Sequence, residues 1–128
     1  MAELRAVVCE DDPTVRRVIG SVLRDHDIDV IAEIDMITPL CDVVRHGRPD
    51  VVILDLMLAG MAEIESLEEL AKVADAVPVV VFSSYDQLRD DVMESGAYAF
   101  VDKPDFEMLI TTVLSAVATG RGTVDEPR

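Results

Sequence analysis

Apolar runs alternate with amphipathic segments five times along this chain, and that alternation limits the folds open to it. Residues 4–9 (LRAVVC), 28–33, 50–55, 78–82 and 98–102 read as strands. Between them, apolar residues recur at helical spacing. Pro13 opens the first helix at its favoured first-turn position, with Val15, Val18, Ile19, Val22 and Leu23 on one side and Arg16 and Arg17 on the other. A short helix over 36–46 closes on Gly47 and Pro49. A third over 63–75 carries Ile64, Leu67, Leu70, Ala71 and Ala74 on one face. Asp86 caps a fourth that ends near Ser95 and Gly96, and Asp105 caps a last one to about residue 119.

Strands alternating with helices predict an α/β fold around a parallel sheet. Near-continuous apolar strands mean that both sheet faces are covered. Polar residues interrupt 28–33, which places that strand at an edge. Right-handed crossovers leave few topologies. The simplest is the flavodoxin-like, doubly wound (βα)5 order 2-1-3-4-5, whose switch point lies between strands 1 and 3. A chain of 128 residues holds one such domain, expected over 1–119, with the polar stretch 120–128 (GRGTVDEPR) as a flexible tail or linker.

The ends of the runs carry the chemistry. The first stops on Glu10, Asp11 and Asp12, the third on Asp55, the fourth on Ser83 and Ser84, and the fifth on Asp102, Lys103 and Pro104. Open parallel sheets bind ligands outside the carboxyl ends of their strands, so these groups describe one site. Carboxylates gathered at one edge repel unless a cation sits among them. Oxygen-only ligands suit a hard cation, so Glu10, Asp11 and Asp55 suggest Mg²⁺. Asp12, just before Pro13, reads instead as the helix cap. A carboxylate beside Mg²⁺ can act as a nucleophile toward phosphorus. The charge that spreads over a transferred phosphoryl needs donors on its other side, which Ser83 and Lys103 could supply. Taken singly, each of these residues has a plainer role as a strand end or a loop start. Their consistent order at successive strand ends is the signal.

VVCEDDPTVRR, VVILDLMLAGM, VVVFSS and GAYAFVDKP together resemble the receiver domain of bacterial two-component response regulators, over residues 4–119. The resemblance implies a signalling domain rather than an enzyme. It makes Asp55 the phosphoacceptor, Glu10 and Asp11 the acidic pair that binds Mg²⁺, and the Met57 carbonyl the backbone ligand. It makes Ser83 the hydroxyl that reports phosphorylation and Lys103 the phosphoryl-binding lysine. The peptide bond between Lys103 and Pro104 is then cis, and Phe100 is the switch aromatic. Implied partners are a sensor histidine kinase or phosphotransfer protein docking near Val15, Arg16 and Val18, and a homodimer or other partner at helix 4, strand 5 and helix 5. Ile110 or Leu114 would lie at the margin of that surface. The resemblance leaves open a stand-alone regulator or the N-terminal part of a longer protein, and a C-terminal output domain, where one follows, would carry any DNA binding. The chain departs from the family pattern at Glu10, where Asp is usual, at Ala59, where Pro is usual, and at Ala62-Glu63, where Asp-Gly is usual. The segment from Asp55 to Ser83 is also about two residues shorter than typical.

Composition narrows the classes further. With 11 basic and 26 acidic residues the net charge is −15, which repels nucleic acid and anionic membranes. No apolar run is long enough to span a bilayer, and a cytoplasmic protein is expected. Cys9 and Cys41 lack metal or redox spacing and read as small buried hydrophobes. His26 and His46 fall near helix ends. A phosphohydrolase working through an aspartyl-phosphate needs an acid two residues past its nucleophile, where this chain has Met57. A flavin module needs a phosphate-cradling loop where this chain has three acids. The remaining alternative is a receiver-like interaction module that works independently of phosphorylation.

Overall fold

Each strand forms where the sequence is apolar on both of its alternating faces, because both faces are covered by helices. The computed structural model describes residues 4–36, 39–56 and 63–125, with the side chains of 63–64 and 119–125 outside that description. The elements are β1 (Leu4–Cys9), α1 (Pro13–Asp25), β2 (Ile28–Ile34), α2 (Leu40–Gly47), β3 (Val51–Leu54) and α3 (Glu63–Ala74). They continue as β4 (Val79–Ser83), a 3-10 turn (Asp86–Leu88), α4 (Arg89–Glu94), β5 (Ala99–Asp102) and α5 (Phe106–Asp125). The strands pair in parallel in the order β2-β1-β3-β4-β5, the flavodoxin-like arrangement, with β2 at one edge. Among the described residues, no helix is long and apolar enough to cross a membrane.

Period-two alternation sorts the strand side chains into two cores. Val7, Cys9, Val52, Leu54, Val79, Val81 and Phe100 pack with Leu40 and Val44 of α2, Leu70 and Val73 of α3 and Val92 of α4. Ala6, Val8, Val51, Ile53, Val80, Phe82 and Val101 pack with Ile19 and Leu23 of α1 and Leu109, Val113 and Ala116 of α5. Burying each large aliphatic side chain is worth roughly 1.5–3 kcal/mol, so these two cores, strand and helix side chains together, are the main source of stability.

β2 breaks the alternation. Its register against β1 slips between Ala6, which faces Val30, and Val7, which faces Ala32. The extra residue, Ile31, is a β-bulge. Ile28 and Val30 therefore join the α1/α5 core, while Ala32 and Ile34 join the α2/α3/α4 core. Glu33 is left facing α1, where Arg16 Nε and Arg24 Nη2 each lie 3.5 Å from its carboxylate.

Several helix details differ from expectation. Arg16 does not lie on a solvent face of α1. It is half-buried and donates through Nη1 to the Glu10 carbonyl at 2.7 Å, while Val18 is the exposed residue. α2 starts at Leu40 rather than 36, because Pro39 disfavours helix ahead of it. Its left-handed C-cap is Arg48 (φ 50°), not Gly47. Gly47 serves close packing instead, since a Cβ there would meet Ile31 Cδ1 at 2.9 Å. In α3, Ala71 is exposed and Ser66, Leu70 and Val73 are buried. Asp86 starts the 3-10 turn rather than capping α4, and the position before Arg89 makes no side-chain capping bond. α5 runs to Asp125, past the expected end near 119 and through Gly120 and Gly122. A helix already anchored by Val113 and Val117 extends its ladder without a new nucleation cost.

Candidate functional site

The backbone ladder continues one residue past the strands and so aligns their ends. Glu10 N–H donates to Ile34 O (2.9 Å), Asp55 N–H to Cys9 O (2.9 Å) and Lys103 N–H to Ser83 O (3.1 Å). Glu10, Asp55 and Ser83 are buried, and Asp11 is half-buried. One carboxylate oxygen from each of Glu10, Asp11 and Asp55 falls within a cluster 4.8 Å across. Asp12 stands apart as the α1 cap, accepting from the Thr14 and Val15 N–H groups.

Lys103 bridges the cluster. Its Nζ lies 2.8 Å from Glu10 Oε1 and 3.2 Å from Asp55 Oδ2. Glu10 Oε2 accepts the Asp12 N–H at 3.2 Å. Oε1, equally buried, has the Lys103 ammonium as its close partner at 2.8 Å, a charge-assisted contact. Burial raises the Glu10 pKa, with the Lys103 contact opposing it and the Asp55 charge adding to it. Burial works against the charge on Lys103, but the Glu10 hydrogen bond and the Asp55 and Glu10 charges outweigh it, so the lysine pKa is raised. Cys9, beneath this cluster, is pushed up to about 12 by burial and then by Asp55, Glu10 and Asp11, which keeps it an uncharged thiol.

This donor set fits Mg²⁺. The ion takes oxygen ligands and tolerates a partial protein shell, and the clustered carboxylates of Glu10, Asp11 and Asp55 offer it oxygens alone. Met57 and the atypical Ala59 and Ala62 lie outside the described residues.

Ser83 Oγ accepts the Tyr85 N–H at 3.0 Å, which starts the turn into α4. Phe100 is buried two residues before Asp102 on β5. The peptide bond between Lys103 and Pro104 is cis. Two residues near the site escaped sequence reasoning. Ser66 is buried on α3 and donates to Leu56 O at 3.3 Å, steadying the chain just after Asp55. Arg89 covers the Phe100 ring. A serine inside an apolar helix face and an arginine in an acidic stretch carry no periodic signal that would mark them. His26 and His46 cap their own helices, each with Nδ1 on a carbonyl four residues back (3.0 and 2.8 Å).

The chain is similar to known proteins. The chain is 37% identical over 102 residues to the DNA-binding response regulator MtrA of Mycolicibacterium smegmatis, covering 78% of this chain and 44% of MtrA. It is 34% identical over 110 residues to a protein-glutamate methylesterase/protein-glutamine glutaminase of Haloarcula marismortui, covering 82% of this chain and 29% of that protein. It thus spans less than half the length of either relative. The signal receiver domain of NarL from Mycobacterium tuberculosis shares the fold, with a TM-score of 0.81 at 22% identity over 92% of this chain and 98% of that one. The profile of the response regulator receiver domain matches residues 6–114. A match over that much of its length makes this chain a member of the response regulator receiver domain family.

Proposed function

We infer that this domain carries a phosphoryl group on Asp55, received from a histidine kinase or phosphotransfer protein in the cytoplasm. The observation that carries the reading is the position of Lys103 Nζ between Glu10 and Asp55. It sets a mobile ammonium beside the one buried carboxylate that ends β3. A structural ion pair would need only one of the two acids. Glu10, Asp11, Asp55 and the Met57 carbonyl would hold Mg²⁺, which would neutralise charge on the phosphoryl oxygens. Glu10 is longer by a methylene than the usual Asp, so the ion would sit in a shifted geometry or meet this carboxylate through a water.

In the transfer, an Asp55 carboxylate oxygen forms the new bond to phosphorus as the donor's bond to phosphorus breaks. Lys103 leaves Glu10 for the new phosphoryl oxygens, and the Ser83 hydroxyl turns to donate to them. Ser83 thereby gives up the Tyr85 N–H, and Phe100 takes the space it leaves. The half-buried Val15 and Arg16 and the exposed Val18 on α1 fit a docking site for the donor.

The output surface would be α4, β5 and α5, where Leu114 and Met108 are exposed. Its charge favours a partner with basic groups over a second copy of this chain. Among the described residues, Asp86, Asp90, Asp91, Glu94, Asp105 and Glu107 are exposed there, while Arg89 is paired with Asp102 and Lys103 with Glu10 and Asp55. Where an output domain follows the receiver, as the names of the longer relatives suggest for them, DNA binding or enzymatic activity would belong to it. In this reading the domain unit is 1–119 with 120–128 as its tail or linker, the first residues of which continue α5 as far as Asp125.

Intact-mass measurement after incubation with Mg²⁺ and acetyl phosphate tests the assignment. One phosphoryl adduct is expected in wild type and none in Asp55→Asn or without Mg²⁺. No adduct in wild type would favour the phosphorylation-independent interaction module.

A further inference from the structure

Phe100 and Asp102 lie two apart on β5, so both side chains face α4. Arg89, the first residue of α4, reaches both. Its guanidinium carbon lies 4.5 Å from the Phe100 ring centroid. Its Nη2 donates to Asp102 Oδ2 at 3.0 Å, and its Nη1 approaches the Phe100 carbonyl at 3.4 Å. α4 has only six residues and no side-chain N-cap, so its own first turn holds its start weakly. The contacts from Arg89 pin that start to β5.

The chain leading into Arg89 is tied to the site. Ser83 Oγ holds the Tyr85 N–H at 3.0 Å, and the 3-10 turn Asp86–Leu88 runs from there directly into Arg89. The Ser83–Tyr85 bond and the Arg89 cover over Phe100 thus belong to one conformer, linked by a rigid turn. We propose that Arg89 is the positioning residue that holds Phe100 in its resting place and connects its release to Ser83. When Ser83 turns toward a phosphoryl group, Tyr85 loses its acceptor, the turn shifts, and Arg89 slides off the ring. This rests on Asp55 being the phosphoacceptor. It adds a brake: each contact of Arg89 stabilises the unphosphorylated conformer and opposes the switch.

An exposed ion pair alone would contribute little. Cation–π contact at a partly exposed site biases an equilibrium by about two- to five-fold. Removing the contact raises the population of the switched conformer by that factor, and uptake that proceeds through this conformer quickens in proportion.

Two readouts test this on the full chain labelled with fluorophenylalanine, which reports Phe82, Phe100 and Phe106; Phe100→Leu assigns the signal. In Arg89→Met the Phe100 fluorine signal is expected to move or broaden. Arg89→Lys, which keeps a cation over the ring, is expected to stay near wild type. Asp102→Asn, which cuts the ion pair but leaves the guanidinium in place, is expected to fall between them. With Mg²⁺ and acetyl phosphate, Arg89→Met is expected to take up the phosphoryl group about two- to five-fold faster than wild type. A gain in rate separates a lost brake from general damage. An unchanged Phe100 signal in Arg89→Met, or uptake that is unchanged or slower, overturns the proposal. Failure of wild type to take up a phosphoryl group would sink the assignment of Asp55 and with it the brake, while the fluorine signal would still decide whether Arg89 holds the ring.

Discussion

Lys103 stands between two carboxylates that would otherwise face each other in a buried pocket. Its ammonium competes for the oxygens that a metal ion would use. Removing it therefore costs more stability without metal than with it. Lys103→Met is expected to lose about 1–3 kcal/mol of stability in metal-free buffer, because Glu10 and Asp55 are left uncompensated, a loss reduced by the partial exposure of the lysine. Millimolar Mg²⁺ is expected to restore more of the urea midpoint in this variant than it adds to wild type. Equal Mg²⁺ shifts in the two proteins would argue against a shared site. At this scale the sequence was legible where a residue ends an apolar run, as Glu10, Asp55, Ser83 and Lys103 do. It was not legible where a polar side chain reaches across to another element. Arg16 and Arg89 look like solvated helix residues until β2 and β5 are placed beside them.

The elements were readable to the extent that one pattern decided them. β1, β3, β4 and β5 are short apolar runs, and only a doubly covered sheet accommodates them. α3 is harder because apolar residues occur on more than one of its sides. Ala71 lost to Val73 because a small side chain contributes little to the core and the longer one fills it. The start of α4 was misread because Ser83, from the preceding strand, takes the Tyr85 N–H, and a 3-10 turn intervenes. The end of α4 was read correctly, and Gly96 shows why. Its φ of +105° is a conformation L side chains rarely adopt, and a Cβ there would lie 3.1 Å from Ala74 Cβ of α3. Gly96→Ala is expected to lower stability by about 1–3 kcal/mol in urea denaturation while leaving the adduct at Asp55 intact. Loss of phosphoryl uptake in a folded Gly96→Ala protein would mean that this turn also sets the site.

Across the whole molecule, the acidic balance acts on stability as well as on partner choice. A net charge of −15 on one small domain repels itself in the compact state. At about 0.1 M salt the screening length is about 10 Å, shorter than the domain is wide. The urea midpoint is therefore expected to rise as NaCl is added from low ionic strength. A midpoint that falls with salt would show that ion pairs such as those of Glu33 with Arg16 and Arg24 outweigh the general repulsion.

The bulge at Ile31 makes β2 two half-strands in opposite phase, the first answering to α1 and α5 and the second to α2 and α3. Recombination with a relative therefore has a forbidden crossover point. A graft that straightens the strand, so that Ile31 rather than Ala32 pairs with Val7, would send Ala32 and Ile34 to the wrong core. It would also drive the carboxylate of Glu33 into the apolar layer beneath Val44. Exchanged whole, with its extra residue, β2 remains a portable edge.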